Sequence, residues 1–225
     1  MSELENIKWI YRTLIPKFIR NTAFVEALKR KLLPHNMVYD EKYYERDVEG
    51  PAARSAPAIV ESLLREFRPS SVLDVGCGTG AMLAAFAARG CRAKGLEYAD
   101  AGIRMCQQRG LDVLKFDIEK DRLPPGASYD LIISMEVAEH LPESIAGNYV
   151  ELLTSAAPCV AMTAATPGQG GTDHVNEQPN AYWMAKFADR GFRFDQELTD
   201  RLRSEWAANA TVQTWYHHNL LIFHR

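Results

Sequence analysis

The chain has 225 residues, 47% of them hydrophobic and 24% charged, with a formal net charge of −3 at neutral pH; that is enough for one well-buried α/β domain with additions, and a slight acidity that speaks against a general grip on nucleic acid. Four cysteines, Cys77, Cys91, Cys106 and Cys159, lack metal-finger spacing and form no C-x-x-C pair, which suits reduced thiols. No apolar run approaches membrane-spanning length and the first residues lack an uncharged core followed by a small-residue cleavage site, so a soluble, cytoplasmic protein is expected.

Residues 1–35 carry seven Lys or Arg against three Glu, a balance of +4 where the remainder carries −7. Ile7, Ile10, Leu14 and Phe18, then Phe24, Val25, Leu28 and Leu32, recur at helical spacing, interrupted by Pro16 and Pro34. The pattern predicts two helices packed over a sheet as a lid, packed against a second subunit in a homodimer, or laid on an anionic surface. A helical extension over 1–50 and a main domain over 51–225 are therefore expected. Within the main domain, residues 71–75 read as a first strand and 81–89 as a helix ended by Gly90; 92–96 is a second strand and 101–109 a helix stopped by Gly110. Strands follow over 113–116 and 131–134, the latter apolar enough to be buried on both faces. A helix over 143–155, a strand over 160–164, a polar loop over 165–180 and a helix over 181–189 come next, with 192–195 and 212–223 as the last two strands. Such alternation predicts an α/β fold: a Rossmann-like, seven-stranded, mostly parallel sheet with helices on both faces.

The densest signal is Val72-Leu-Asp74-Val-Gly76-Cys-Gly78-Thr-Gly80, an apolar strand that runs through an acid into alternating glycines. Glycines there permit a sharp strand-to-helix turn and close approach of a ligand to the backbone. Gly76 to Ala81 also satisfies the dinucleotide fingerprint, with Glu97 about where a ribose-binding acid stands. Asp74 discriminates. A pyrophosphate at the helix N-terminus would be repelled by a neighbouring carboxylate, whereas S-adenosylmethionine (SAM) brings an ammonium and a sulfonium that a carboxylate favours.

Together with Glu97, Phe116-Asp117-Ile118 and Tyr129-Asp-Leu-Ile-Ile-Ser-Met135-Glu136-Val-Ala-Glu139-His140, this stretch resembles the successive motifs of class I SAM-dependent methyltransferases over roughly residues 55–165. The resemblance implies that Glu97 holds the ribose hydroxyls with Tyr98 beside the adenosine. It implies that Asp117 reaches the adenine amino group between Phe116 and Ile118, that Met135 lies at the donor, and that the last strand is antiparallel. Tyr39 to Glu45 is similar to the pre-motif of small-molecule methyltransferases, in which an aromatic, here Tyr43 or Tyr44, closes over the donor. Arg54 is either a partner for the methionine carboxylate or a surface arginine.

The acceptor side reads from Glu136, Glu139 and His140, just past the fourth strand, and from His174 in the 165–180 loop; both segments open onto the edge where ligands react in open α/β sheets. Methyl transfer to a hydroxyl needs a base, for which His140 and His174 are candidates with Glu136 beside them, or a metal that lowers the hydroxyl's pKa. Glu136, Glu139, His140 and His174 have the make-up of a carboxylate–imidazole site for Mg²⁺ or a similar divalent ion. Small-RNA terminal 2′-O-methyltransferases and ubiquinone-pathway O-methyltransferases use a similar E-x-x-E-H motif in that way. The loop and the C-terminal tail look like those of bacterial methyltransferases acting on sugars and other polyhydroxylated metabolites. The expected function is thus O-methylation of a small, carbohydrate-like acceptor, a sugar or oligosaccharide. Metal-dependent RNA terminal 2′-O-methylation and a non-catalytic, donor-binding regulatory role are the alternatives. Asn176, Gln178, Tyr182, Trp183, Trp206 and Trp215 are candidate acceptor contacts, with core packing as the competing role for the aromatics.

Overall fold

In the computed structural model, which describes residues 39–225, seven strands form one sheet: β1 (Ser71–Val75), β2 (Arg92–Glu97), β3 (Val113–Lys115), β4 (Leu131–Ser134), β5 (Cys159–Thr163), β6 (Arg193–Phe194) and β7 (Leu220–His224). Their order is β3-β2-β1-β4-β5-β7-β6, with β7 antiparallel to both neighbours and the other pairings parallel. The chain thus winds outward from β1 to β3, then crosses back to β4 and proceeds the other way. Between the carboxyl ends of β1 and β4 lies the switch point, where such sheets leave a ligand crevice. Ser134 ties the two ends together: its hydroxyl donates to the Val75 carbonyl at 2.7 Å and accepts from the Tyr149 hydroxyl at 2.7 Å.

Side-chain alternation sorts the core into two halves. Leu73, Val75, Ile132, Val160, Met162, Leu221 and Phe223 face one way, against α4 (Ala146–Ser155) and α5 (Asn180–Ala188). Val72, Leu131, Ile133, Ala161, Leu220 and Ile222 face the other, against α1 (Gly50–Phe67), α2 (Ala81–Ala87) and α6 (Gln196–Ala208), while α3 (Asp100–Gln108) connects β2 to β3. The seven-stranded, mostly parallel architecture and the antiparallel last strand are as expected. The two helices predicted over 1–35 lie outside the described residues.

Three elements differ from the sequence reading. Helix α1, which the sequence reading leaves unassigned, presents Ala52, Ala56, Ile59, Val60 and Leu63 as a buried stripe, starts with a proline in its first turn and ends at Arg68 in the left-handed region, φ 46°. Helix α6, likewise unassigned, is capped by Asp195, whose Oδ1 accepts from Leu198 N–H at 2.9 Å, and buries Thr199, Leu202 and Trp206 at helical spacing. The strand predicted over 212–223 is in fact α7 (Thr214–Asn219) followed by β7. Only 220–223 is an unbroken apolar run; before it, buried Tyr216 and Asn219 sit three apart, a helical and not a strand period. Trp183 and Trp206, each 1% exposed, are core residues rather than acceptor platforms. Trp206 donates from Nε1 to Ser62 Oγ at 2.8 Å.

Candidate functional site

The glycine loop leaves β1 through three left-handed positions, Gly76 at φ 78°, Gly78 at 55° and Gly80 at 80°. At Gly76 a Cβ would come within 2.5 Å of Val137 Cγ2, and at Gly80 within 2.6 Å of Leu111 Cδ1, so packing as well as backbone conformation requires glycine there. Asp74 lies at 2% exposure at the carboxyl end of β1. Burial, then the charge of Glu97, pushes its carboxyl up to about 8.

Glu97 closes β2 and folds its carboxylate back over the loop. Oε2 accepts from Gly78 N–H at 2.8 Å; Oε1 accepts from Tyr98 N–H and Ala99 N–H, both at 2.8 Å, and from the Tyr44 hydroxyl at 3.3 Å. Burial raises this carboxyl against the lowering effect of those four donors. Tyr44 opens a π-helical stretch, Tyr44–Glu49, and its ring edge is 3.6 Å from where a Cβ on Gly78 would stand. Arg109 fastens the far end of that stretch, donating to Glu49 Oε1 at 2.6 Å and to the Thr79 carbonyl at 3.1 Å. Tyr43 meets Tyr44 edge-on, and burial, followed by the charge of Asp47, pushes its phenol up to about 12.

The remaining donor-side candidates are less convergent. Asp117 is tied into its own turn, accepting from Glu119 N–H at 3.0 Å and pairing with Lys120 Nζ at 2.7 Å. Phe116 is 3% exposed within the core and Ile118 packs on that core. Tyr98 and Met135 are half-buried, and Arg54 is exposed on α1.

On the β4 side, Glu136 sits in the left-handed region at φ 56°. Its N–H donates to Thr163 Oγ1 at 2.7 Å and its Oε1 accepts from Asn219 Nδ2 at 3.0 Å. Glu139, Glu136's neighbour, is fully buried, and its carboxylate oxygens make no well-formed hydrogen bond among the described residues, the Glu136 carboxyl and the Ala165 backbone being the polar groups that act on it. Burial and then the charge of Glu136 push the Glu139 carboxyl well above the ordinary range. His140 and His174 meet edge-to-face with ring centres 5.0 Å apart. His140 Nδ1 lies 3.1 Å from the Tyr39 hydroxyl and 3.3 Å from the Asp173 carbonyl, while Tyr39 donates to Asp173 Oδ2 at 3.2 Å. A carbonyl only accepts, so the Asp173 contact is a hydrogen bond in the tautomer that carries its proton on Nδ1. His174 Nδ1 lies 2.9 Å from Glu177 Oε1.

Glu139, His140 and His174 each offer a ligand atom within 4.8 Å of the others. Glu136, expected with them, is instead held by Asn219. Tyr39, Glu177 and Asn219 are the residues sequence reasoning did not assign to the site; only Glu177 had a legible signal, an acid three residues beyond a histidine in the same loop. Asn176, expected at the acceptor, is 4% exposed with its Oδ1 taken by Gln178 Nε2 at 2.9 Å. Trp215 and Tyr182 are half-buried, and Tyr182 lies beneath Lys186 Nζ at 4.7 Å. No helix among the described residues is long and apolar enough to cross a membrane.

Comparison with known proteins places this arrangement. The chain is 32% identical over 87 residues to a ubiquinone biosynthesis O-methyltransferase of Paramagnetospirillum magneticum, a match covering 37% of this chain and 35% of that protein. A second such enzyme, from Saccharophagus degradans, is 28% identical over 123 residues and covered to 47% of its length, so the chain spans between about a third and a half of these curated relatives. Among solved structures, magnesium protoporphyrin IX methyltransferase from Synechocystis with bound SAM superposes at a TM-score of 0.59, with 17% identity, covering 100% of this chain and 98% of that one. At that identity the likeness is one of fold. Residues 44–203, well over half of the chain and the part that carries both halves of the crevice, match the family described as methyltransferase domain, and the chain belongs to that family.

Proposed function

We propose that this protein transfers a methyl group from SAM to a hydroxyl of a small, polyhydroxylated acceptor, a sugar or a related metabolite. The observation that carries the reading is the meeting, at one switch point, of an acid-lined glycine cradle suited to a cationic donor and a buried carboxylate–imidazole cluster suited to an acceptor proton. Asp74 faces the donor's positive charge, Glu97 takes the ribose hydroxyls in exchange for Tyr44, and the positive-φ loop admits the donor to its backbone. The acceptor oxygen attacks the methyl carbon in line as the carbon–sulfur bond breaks, leaving S-adenosylhomocysteine, and the hydroxyl proton passes to His140 or His174. Neighbours in fold include a sugar N-methyltransferase from Streptoalloteichus, 15% identical at a TM-score of 0.60 and covering 81% of this chain and 91% of that one. The sugar-like acceptor is thus a proposal from the polar loop and tail of this chain.

A second reading is favoured by Glu139, a fully buried carboxylate without a well-formed hydrogen bond among the described residues, which a cation would satisfy. Glu139, His140 and His174 fit a divalent ion, and such an ion would lower the pKa of an acceptor hydroxyl. In that reading Glu136 remains with Asn219 and keeps the cluster's shape.

Incubation of the purified protein with methyl-labelled SAM and an extract of its host should put label into a small product, with S-adenosylhomocysteine formed in equal amount. Label in RNA would redirect the acceptor assignment; S-adenosylhomocysteine formed in no extract would leave only donor binding. His140→Ala and His174→Ala should each lose on the order of 10²–10⁴ in turnover with donor affinity kept. Activity that survives exhaustive chelation supports base chemistry alone, whereas loss restored by Mg²⁺ or Mn²⁺ and copied by Glu139→Gln assigns the metal.

A further inference from the structure

We propose that Glu177 is the positioning residue of the acceptor side: it fixes His174 with its proton on Nδ1, which makes Nε2 the ring's unprotonated, basic nitrogen. The inference rests on the reading above that His174 acts in the site. Both oxygens of Glu177 are already committed to N–H donors. Oε2 accepts from Gly168 N–H at 2.8 Å and Oε1 from Gly170 N–H at 2.6 Å. The third donor is His174, whose Nδ1 is 2.9 Å from Oε1. A carboxylate receiving donors on each oxygen acts here as an acceptor, so the ring nitrogen facing it carries the hydrogen.

The holder is itself held. Gly168 and Gly170 stand at φ 89° and 69°, and their amide groups, on either side of Gln169, both point at one carboxylate. Gly171 then clears space for the ring, because a Cβ on it would overlap Nε2, Cε1 and Cδ2 of His174. The imidazole is therefore bonded at Nδ1 and packs along Gly171 at its Nε2 side, with its side chain 11% exposed. The glycines of this loop build a rigid seat for one histidine. A proton arriving on Nε2 would create an imidazolium beside a carboxylate that stays put, the arrangement by which an acid partner orients and supports a general base. For a metal ligand the same contact sets ring orientation and basicity.

The test uses full-length protein labelled at the histidine nitrogens. At a pH where the ring is neutral, long-range proton–nitrogen correlation should show the His174 signal, assigned by its loss in His174→Ala, as Nδ1-protonated in the parent. Glu177→Ala should shift that signal toward the Nε2-protonated form and lower turnover by about 10–100-fold with SAM affinity unchanged. Glu177→Gln, whose amide oxygen still accepts from Nδ1, should keep the parent tautomer and recover part of the turnover. A loop-tying role alone would leave the tautomer unmoved. An Nε2-protonated parent, or an unchanged tautomer in Glu177→Ala, overturns the proposal. If Glu177→Ala does not fold, an Nε2-protonated ring in Glu177→Gln overturns it equally. Parent turnover in His174→Ala would instead remove the catalytic reading of His174, leaving the tautomer result to stand or fall separately.

Discussion

Asp74 is a carboxyl placed where ionisation is costly until a cation arrives. With its titration raised to about 8 by burial and by Glu97, most of it is protonated at neutral pH in the free protein. A sulfonium and an ammonium nearby favour the ionised form, so SAM binding at pH 7 should release about one proton. Calorimetry in buffers of differing ionisation heat reads that number directly, and Asp74→Asn should abolish the release while weakening SAM by roughly 10–100-fold. The same shift has a consequence for stability. The ordinary Asp value is 3.8, so between about 4 and 8 the folded chain binds more protons than the unfolded one, and stability falls as pH rises through that window. Glu97, Glu136 and Glu139 are raised as well and act in the same direction. The free protein's melting temperature should drop from mildly acidic to alkaline pH, and saturating SAM should flatten the drop; a free protein that grows more stable over that range would contradict the placement of these acids. Tyr44 yields a prediction of opposite sign to the usual loss on mutation. Its hydroxyl occupies the Glu97 oxygen that the ribose is proposed to take, so Tyr44→Phe should bind SAM about 2–10-fold more tightly, the worth of one net hydrogen bond. Tyr44→Ala, which also removes the ring, should bind it more weakly.

Among the elements, the central strands and the helices after them were legible because each carries a single strong signal: an unbroken apolar run, a stop glycine, an acid at a strand end. Residues 131–134 could hardly be anything but a buried strand, and Gly76 to Gly80 had to turn. The C-terminal third was harder to read because its signals compete. In 212–223 aromatic and β-favouring residues argue for a strand, but the buried positions Tyr216 and Asn219 follow the helix period, and tertiary burial decides the outcome. The acceptor side was legible in residue type and less so in partnership: His140, His174 and Glu139 meet as the motif suggested, yet Asn219 arrives from 83 residues away to hold Glu136, a pairing no local pattern announces. The antiparallel strand that brings it there depends on Phe223, which is fully buried and stacks on Phe187 with centres 3.8 Å apart and planes 3° from parallel. Phe223→Ala should cost about 3–5 kcal/mol of unfolding free energy in a denaturant titration. Because Asp74, the glycine loop and Glu97 lie at the ends of β1 and β2, away from β7, SAM affinity measured where the variant is still folded should change little.

For the molecule as a whole, the question is which part of the chain suffices for donor binding and which serves the acceptor. Residues 39–225 form a compact unit by themselves, containing all seven strands, both halves of the core and every donor candidate from Tyr44 to Met135. A protein beginning at Tyr39 should therefore unfold in one cooperative transition and bind SAM within a few-fold of the parent. The basic, amphipathic first 35 residues carry the sequence-based expectation of a lid, a role in which excluded water and an ordered acceptor would favour transfer from the sulfonium. Truncation should then depress turnover of the acceptor while sparing donor affinity, a split that separates a cover from a folding element. Hydrogen exchange in the full chain adds an independent check, because residues 1–35 should slow only when donor and acceptor are both present. Parent-rate turnover by the truncated protein would remove the cover, and a truncated protein that fails to fold would show instead that the extension completes the core.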